Sequence, residues 1–521
     1  MFQYLSFSDA AKYADIARNL IFGLGYGNSF SFWSSSLFEP SKYNIFSTIS
    51  IPPVMPFSIT ASFKIFGVND FAVMATSFFY FILTLAFAFL LARKVFRSNL
   101  IGVLSTLAVG FNNDLINYAA NGASESPFIF EIIAAAYFIS IKKKWGSFVA
   151  LIFTILMYFT RPQAFIYIAG LVLYWLLVNF KFKKAIIYFT VTSIVCLLVD
   201  KFILGPLSGK YFLYSIVDRG LGSSFSQSST ASNALRGGTS LVANGNGIVQ
   251  VLKNVFYNLY NFYKLLPQIM SPYFFTLFTI GIFKWGKDKT QNPFKTAAIF
   301  MIAITFLVVA MSIPFFRYLH PIVPLVYIIA VGTLVEILEL GFKNNYLKIP
   351  RNLLINLISI IIILIFGVGQ TLGILILDSR FEKNMHNAGK PPLYVELSKI
   401  LKGNTKLNDI VITNLDTWGS WYGERKTVWF PLEPKQLINP ATGKIPFDAI
   451  YLTSYKIDDE NYYMGRGWRM IFDNPSNPKK WTCDGCSEIA KEFTLKGVYK
   501  ISAADNYERQ DASGILLVRK H

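Results

Sequence analysis

Charge is scarce in this chain. Only 15% of its 521 residues are Asp, Glu, Lys or Arg, against 53% hydrophobic and 17% aromatic. That balance excludes a disordered chain and points away from an ordinary soluble globule. Three cysteines exclude a disulfide-dense secreted scaffold, and three histidines leave little material for a multi-histidine metal centre. No Walker sequence and no strand-linked G-x-G-x-x-G occurs, so a nucleotide phosphate has no familiar cradle. Chemistry must then rest on Asp, Glu, Arg, Lys and Tyr. Acids are scarcer than bases, 30 against 49, for a net charge of +19. On a soluble protein that excess would suggest nucleic acid, so where the bases sit decides.

Long apolar runs are what the chain has in abundance. Stretches near 70–92, 100–119, 126–141, 145–160, 162–180, 185–205, 267–285, 294–313, 318–340 and 352–377 approach or reach the roughly 20 residues that span hydrocarbon as a helix. Connections 93–97, 142–144, 181–184, 284–295 and 343–351 hold 3, 3, 3, 4 and 3 Lys or Arg, against one acid, Asp288. Alternating ten spans puts all five on the cytoplasmic face, as the positive-inside rule requires. Most of the excess charge therefore orients helices in a bilayer, and nucleic acid is not an expected partner. The same alternation places 1–69, 112–125, 206–266 and 378–521 outside. Met1 would then lie outside without a preceding helix, so an upstream transmembrane helix is expected beyond this chain.

After residue 377 the pattern changes to short alternating runs such as Ile410-Val411-Ile412-Thr413 and Ala449-Ile450-Tyr451-Leu452-Thr453, with helical stretches near 392–402 and 486–493. These predict a small α/β domain over 378–521. The fold class read from the sequence is a multi-pass α-helical membrane protein, its transmembrane domain over 70–377 including an outer loop 206–266, with a C-terminal extracytoplasmic α/β domain. Trp418 to Phe430, rich in aromatics, reads as a packed strand-turn-strand. Cys483 and Cys486 lack a second ligand pair for zinc and read as a short-loop disulfide or two free thiols. The Ser-, Gly- and Asn-rich stretch Gly220 to Gly247 predicts a mobile loop or one ordered by ligand.

Polar residues at helix ends carry the candidate chemistry. Ser8 to Leu20 reads as a capped helix with Asp9 in its first turn, followed by Gly23-Leu24-Gly25-Tyr26-Gly27, Pro52-Pro53 and Phe66-Gly67. Asp9 alone reads as an N-cap, and Asp15 with Arg18 as a surface pair. Glu125, in Asn121-Gly122-Ala123-Ser124-Glu125-Ser126-Pro127, opens a span and could be a capping carboxylate. Glu131, deeper in that span, should face the bundle interior or be neutral. Arg161-Pro162 and Arg317-Tyr318-Leu319-His320-Pro321 fall at outer span ends, where the charge bias discourages arginine. A guanidinium fork there suits phosphate oxygens, the alternative being snorkelling to headgroups. His320 reads as a structural polar contact.

Together, the Asp9 to Gly67 segment and the Arg317 to Pro324 element resemble the GT-C membrane glycosyltransferases, in particular the protein mannosyltransferase and lipid A aminoarabinose transferase group. The resemblance covers roughly residues 6–340. It implies a GT-C-like fold in the plasma or inner membrane and inverting transfer of a sugar from a polyprenyl phosphate donor to an acceptor whose class stays open. It further implies that Asp9 is the general base, that Tyr13 and Glu125 position acceptor or donor sugar, and that Arg161, Arg317 and Tyr318 hold the phosphate. The group often carries Asp-Glu where this chain has Asp9-Ala10, which removes a second carboxylate. No cofactor is expected, and a divalent metal stays open. Alternatives of other classes are a flippase of lipid-linked sugars and a polysaccharide ligase or oligosaccharyltransferase.

Overall fold

The computed structural model describes residues 3–33, 35–38, 51–179, 181–204, 247–284, 290–311, 315–342, 350–368, 389–459 and 463–520. The N-terminal stretch forms α1 (Ser8–Ile21) and α2 (Val54–Phe66). The apolar region forms α3 (Asp70–Phe96), α4 (Asn99–Gly110), α5 (Asn113–Ala120), α6 (Glu125–Ser140), α7 (Lys144–Tyr158), α8 (Ala164–Asn179) and α9 (Phe182–Val199). It continues with α10 (Gly247–Ile269), α11 (Pro272–Phe283), α12 (Gln291–Met311), α13 (Val323–Gly341) and α14 (Arg351–Ile363).

Capping explains where these helices begin. Asn69 accepts from the Ala72 amide at 2.9 Å to start α3, whose last turn carries Arg93 and Lys94 in the sense the helix dipole favours. Ser98 and Asn112 cap α4 and α5 in the same way. Asn112 also breaks the expected span 100–119 in two, because its amide is drawn to the Ile269 carbonyl at 3.1 Å and the Tyr327 hydroxyl at 3.2 Å.

Helices occur at all ten places where hydropathy predicts spans, but many are short. Among the described residues four helices, Asp70–Phe96, Phe182–Phe202, Gln291–Met311 and Phe316–Gly341, are long and apolar enough to cross a membrane. Two bent pairs, α5 with α6 at 117° and Val255–Ile269 with α11 at 114°, raise that number to six, and shorter apolar helices make up the rest. Part of the expected outer loop 206–266 is in fact α10. Val255, Leu259, Phe262, Leu266 and Ile269 recur at helical spacing and turn inward, while Tyr257, Tyr260 and Tyr263 stay exposed. Its two-sided character kept it below the hydropathy of a span. The stretch Gly220 to Gly247 lies outside the described residues, apart from Gly247 itself at the start of α10.

Ends carrying basic connections meet. Thr290 donates to the Val95 carbonyl at 3.1 Å, Lys284 pairs with Glu336 at 3.2 Å, and Arg351 donates to the Glu339 carbonyl. At the other end of α3, Asp70 accepts from the Trp421 indole and the Tyr422 hydroxyl, both at 2.7 Å. The bundle thus has a basic end and an end bearing the sheet.

That sheet has six strands, β1 (Phe30–Ser31), β2 (Ile410–Thr413), β3 (Lys426–Trp429), β4 (Ala449–Thr453), β5 (Phe493–Ile501) and β6 (Ala512–Arg519), in the order β1-β3-β2-β4-β6-β5. The first four run parallel and are mostly buried, whereas β5 lies at an edge and alternates partly buried with exposed residues between two buried ends. Because β1 comes from the N-terminal segment, described residues from both ends of the chain, among them 3–33 and 389–459, meet at this sheet. They share one core that includes Ala14, Phe30, Trp418 and Ile450. Trp418–Trp421 is a short helix leading into β3, so the aromatic motif is helix-turn-strand. Cys483 and Cys486 are joined as a disulfide.

Candidate active site

Helix α1 sets the geometry. Its N-cap position is Phe7, with no capping side chain, so the Asp9 carboxylate is free of the capping role it could have had. Ala10, Ala11, Ala14 and Ala17 are fully buried and allow α1 to press close to its neighbours. Gly122, at φ +78°, lets the loop before α6 reach the same place, where a Cβ would meet Val73 Cγ1 at 2.7 Å and Ala10 Cβ at 3.0 Å. A glutamate in place of Ala10 would be driven into this contact, which gives a steric reason for the missing second carboxylate.

The six residues singled out from the sequence form one connected set of contacts. Asp9 Oδ2 accepts from Arg317 Nη1 at 2.8 Å, and Lys12 lies 3.5 Å from its other oxygen. Arg161 Nη1 sits 2.6 Å from Glu125 Oε1 and donates to Ser124 Oγ at 3.1 Å. Tyr13 donates to the same Ser124 hydroxyl at 3.0 Å, tying α1 to the start of α6. The Tyr318 ring lies within 5.5 Å of the Arg161 guanidinium and 5.3 Å of that of Arg317, and Arg317 also covers the Phe7 ring at 5.1 Å.

The two ion pairs differ in access. Glu125 and Arg161 are buried, so Arg161 does not snorkel to headgroups, whereas Asp9 and Arg317 keep 25% and 27% of their side chains exposed. Burial alone would push the Asp9 carboxyl up, but the charges of Arg317 and Lys12 outweigh it and hold it well below the usual carboxylate range. Tyr13 is shifted upward by burial and by the nearby Asp9 charge, so it stays a neutral donor. Glu131 faces the interior and accepts from Thr160 at 2.8 Å. His320 is a structural contact, held between Asp114 at 2.6 Å and the Tyr118 hydroxyl at 3.1 Å.

Asp15 and Arg18 are not a surface pair. Asp15 is fully buried and accepts from the Ser29 amide, while Arg18 donates to the carbonyls of Ser420 at 2.8 Å and Trp421 at 3.0 Å. The i,i+3 spacing marked them as partners, but not that the C-terminal domain covers them. Sequence reasoning also missed Lys12, legible only as a cation one helical turn from Asp9, and Gln163, whose Nε2 donates to the Tyr318 carbonyl at 3.3 Å. Among the described residues no group of three or more His, Cys, Asp or Glu side chains converges as metal ligands would.

Known proteins share this arrangement of elements. The crystal structure of ArnT from Cupriavidus metallidurans bound to undecaprenyl phosphate matches with a TM-score of 0.53 at 10% identity, covering 99% of this chain and 94% of that one. The chain has the GT-C fold. An Archaeoglobus fulgidus oligosaccharyltransferase structure in complex with zinc and sulfate matches with a TM-score of 0.53 at 12% identity, covering 97% of this chain and 69% of that one. A sequence model of dolichyl-phosphate-mannose-protein mannosyltransferases matches residues 50–202 of this GT-C chain. A protein of Aquifex aeolicus (strain VF5) is 28% identical over 326 residues, 61% of this chain, and the match spans 57% of that relative's length. The chain is a multi-pass α-helical membrane protein with a small C-terminal α/β domain.

Proposed function

We propose that this protein is an inverting glycosyltransferase that moves a sugar from a polyprenyl phosphate to a protein, lipid or glycan acceptor at the outer membrane face, where its C-terminal domain lies. The observation that carries this reading is the pairing of two guanidiniums around Tyr318, one locked to Glu125 and one held by the half-open Asp9. The ArnT structure of the same fold was solved with undecaprenyl phosphate bound, which supports a lipid phosphate as the donor.

In this scheme the donor phosphate takes the fork of Arg317 and lies beside Arg161. Phosphate and Asp9 compete for Arg317, so donor binding frees the carboxylate. The acceptor nucleophile then attacks the anomeric carbon from the face opposite the phosphate, and Asp9 takes its proton. The bond from carbon to phosphate oxygen breaks as the new glycosidic bond forms, and polyprenyl phosphate departs with its added charge stabilised by the arginines. Before donor binds, Asp9 is held ionised and paired with Arg317.

Purified protein with Asp9→Asn should lose transfer by a factor of at least ~10² while retaining donor binding. Full activity in that variant sinks the assignment. Mass spectrometry of the product separates transfer of one sugar from transfer of a preassembled glycan. Donor movement across a liposome bilayer without transfer would mean a flippase.

A further inference from the structure

Buried polar atoms without partners cluster around the two arginines. Glu125 Oε2 and Gln163 Oε1 are acceptors in this state, and Arg161 Nε and Arg317 Nε are donors. Such atoms are costly to bury unless something supplies the missing bonds. For Gln163 the orientation of the amide is set by its surroundings. Its nitrogen faces the Tyr318 carbonyl, and turning the amide over would place two acceptors against each other. The free atom is therefore the oxygen, and it asks for a donor. Gln163 follows Arg161 by two residues and is anchored to the backbone of the residue whose ring lies between the guanidiniums.

A lipid phosphate alone can satisfy the two donors and leaves both acceptors empty. A phosphate carrying a hydroxyl-bearing sugar satisfies both kinds. We infer that Gln163 is a specificity-determining residue whose Oε1 accepts a hydroxyl of the transferred sugar, beside the phosphate held by Arg161 and Arg317. This rests on the polyprenyl phosphate sugar reading of the site. A water molecule could fill the same acceptor, and the experiment separates the two.

The measurement is lipid binding to purified protein in nanodiscs, comparing bare undecaprenyl phosphate, undecaprenyl phosphate mannose, undecaprenyl phosphate glucose and single-deoxy analogues of each. The wild type should hold at least one glycosylated lipid more tightly than the bare one. Gln163→Met and Gln163→Leu should bind the bare lipid as the wild type does, which shows that the fold and phosphate site are intact, yet lose about tenfold of the preference for the sugar. One deoxy analogue should bind wild type and variants alike and so identify the hydroxyl. The inference is overturned if both variants keep the full preference, or if they weaken bare and glycosylated lipid equally, as loss of a structural or water contact would. If the wild type prefers no glycosylated lipid, the inference falls with the donor reading itself. That failure shows in the wild type rather than in the variants.

Discussion

Two guanidiniums against the one Tyr318 ring would repel if each lacked a carboxylate, and each has one, with Lys12 a further cation beside Asp9. The pairs should respond differently to substitution. Arg161→Ala leaves Glu125 buried and unpaired, a change worth about 3–5 kcal/mol, and should lower the thermal midpoint in detergent together with donor affinity. Arg317→Lys keeps the charge in a half-open place but loses the fork, and should weaken undecaprenyl phosphate binding roughly tenfold with little loss of stability. Asp9 gives a pH signature. Its carboxyl is lower in the folded protein than in the unfolded chain, so the stability it adds is fully present above the ordinary carboxylate range. That stability is lost only as pH falls through the depressed folded value. The midpoint difference between wild type and Asp9→Asn should therefore be constant from neutral pH down to about 4, and shrink only in stronger acid. A difference that fades between pH 7 and 5 would contradict the Asp9–Arg317 pair.

Among elements, the approach of α1, α3 and the loop before α6 is the tightest constraint on the site. Gly122→Ala combines a left-handed backbone with a Cβ 2.7 Å from Val73 Cγ1, and should destabilise by about 3 kcal/mol. Asp15→Ala removes the partner of Arg18 between α1 and the C-terminal domain, and should cost a similar amount, about 3 kcal/mol, read as the same drop in midpoint. Much of the element pattern was legible beforehand, because spans announce themselves by hydropathy and their ends by basic residues. Arg161 and Arg317 stood out for the same kind of reason, as charges placed where the pattern discourages them, whereas Asp9 stood out only through the resemblance of the segment around it. Residues whose meaning depends on a distant partner were not legible. Arg18, the partner of Asp15, is held by residues some 400 positions away, and α10 hid behind a row of exposed tyrosines. Ala10 showed only that a carboxylate was missing. The contact with Gly122 supplies the reason.

For the whole molecule, the charge pattern and the packing agree on two ends, one basic and one bearing the sheet and the site. Single cysteines replacing exposed Lys143 and exposed Lys406 should therefore label from opposite sides of sealed vesicles with an impermeant thiol reagent. Labelling from the same side would refute the alternating arrangement. The sheet itself has a consequence for how the protein is made. Its β1 strand is laid down near residue 30 and its partner β3 near residue 427, so the early segment must wait through the synthesis of the whole bundle before it can pair. Arg18 and Leu5 wait for the same late residues. Assembly thus proceeds like closing a clasp, and helix α1 gains its final support only when the last domain folds. An unfinished or truncated chain would lack the residues that hold α1 at Arg18 and the backbone at Leu5.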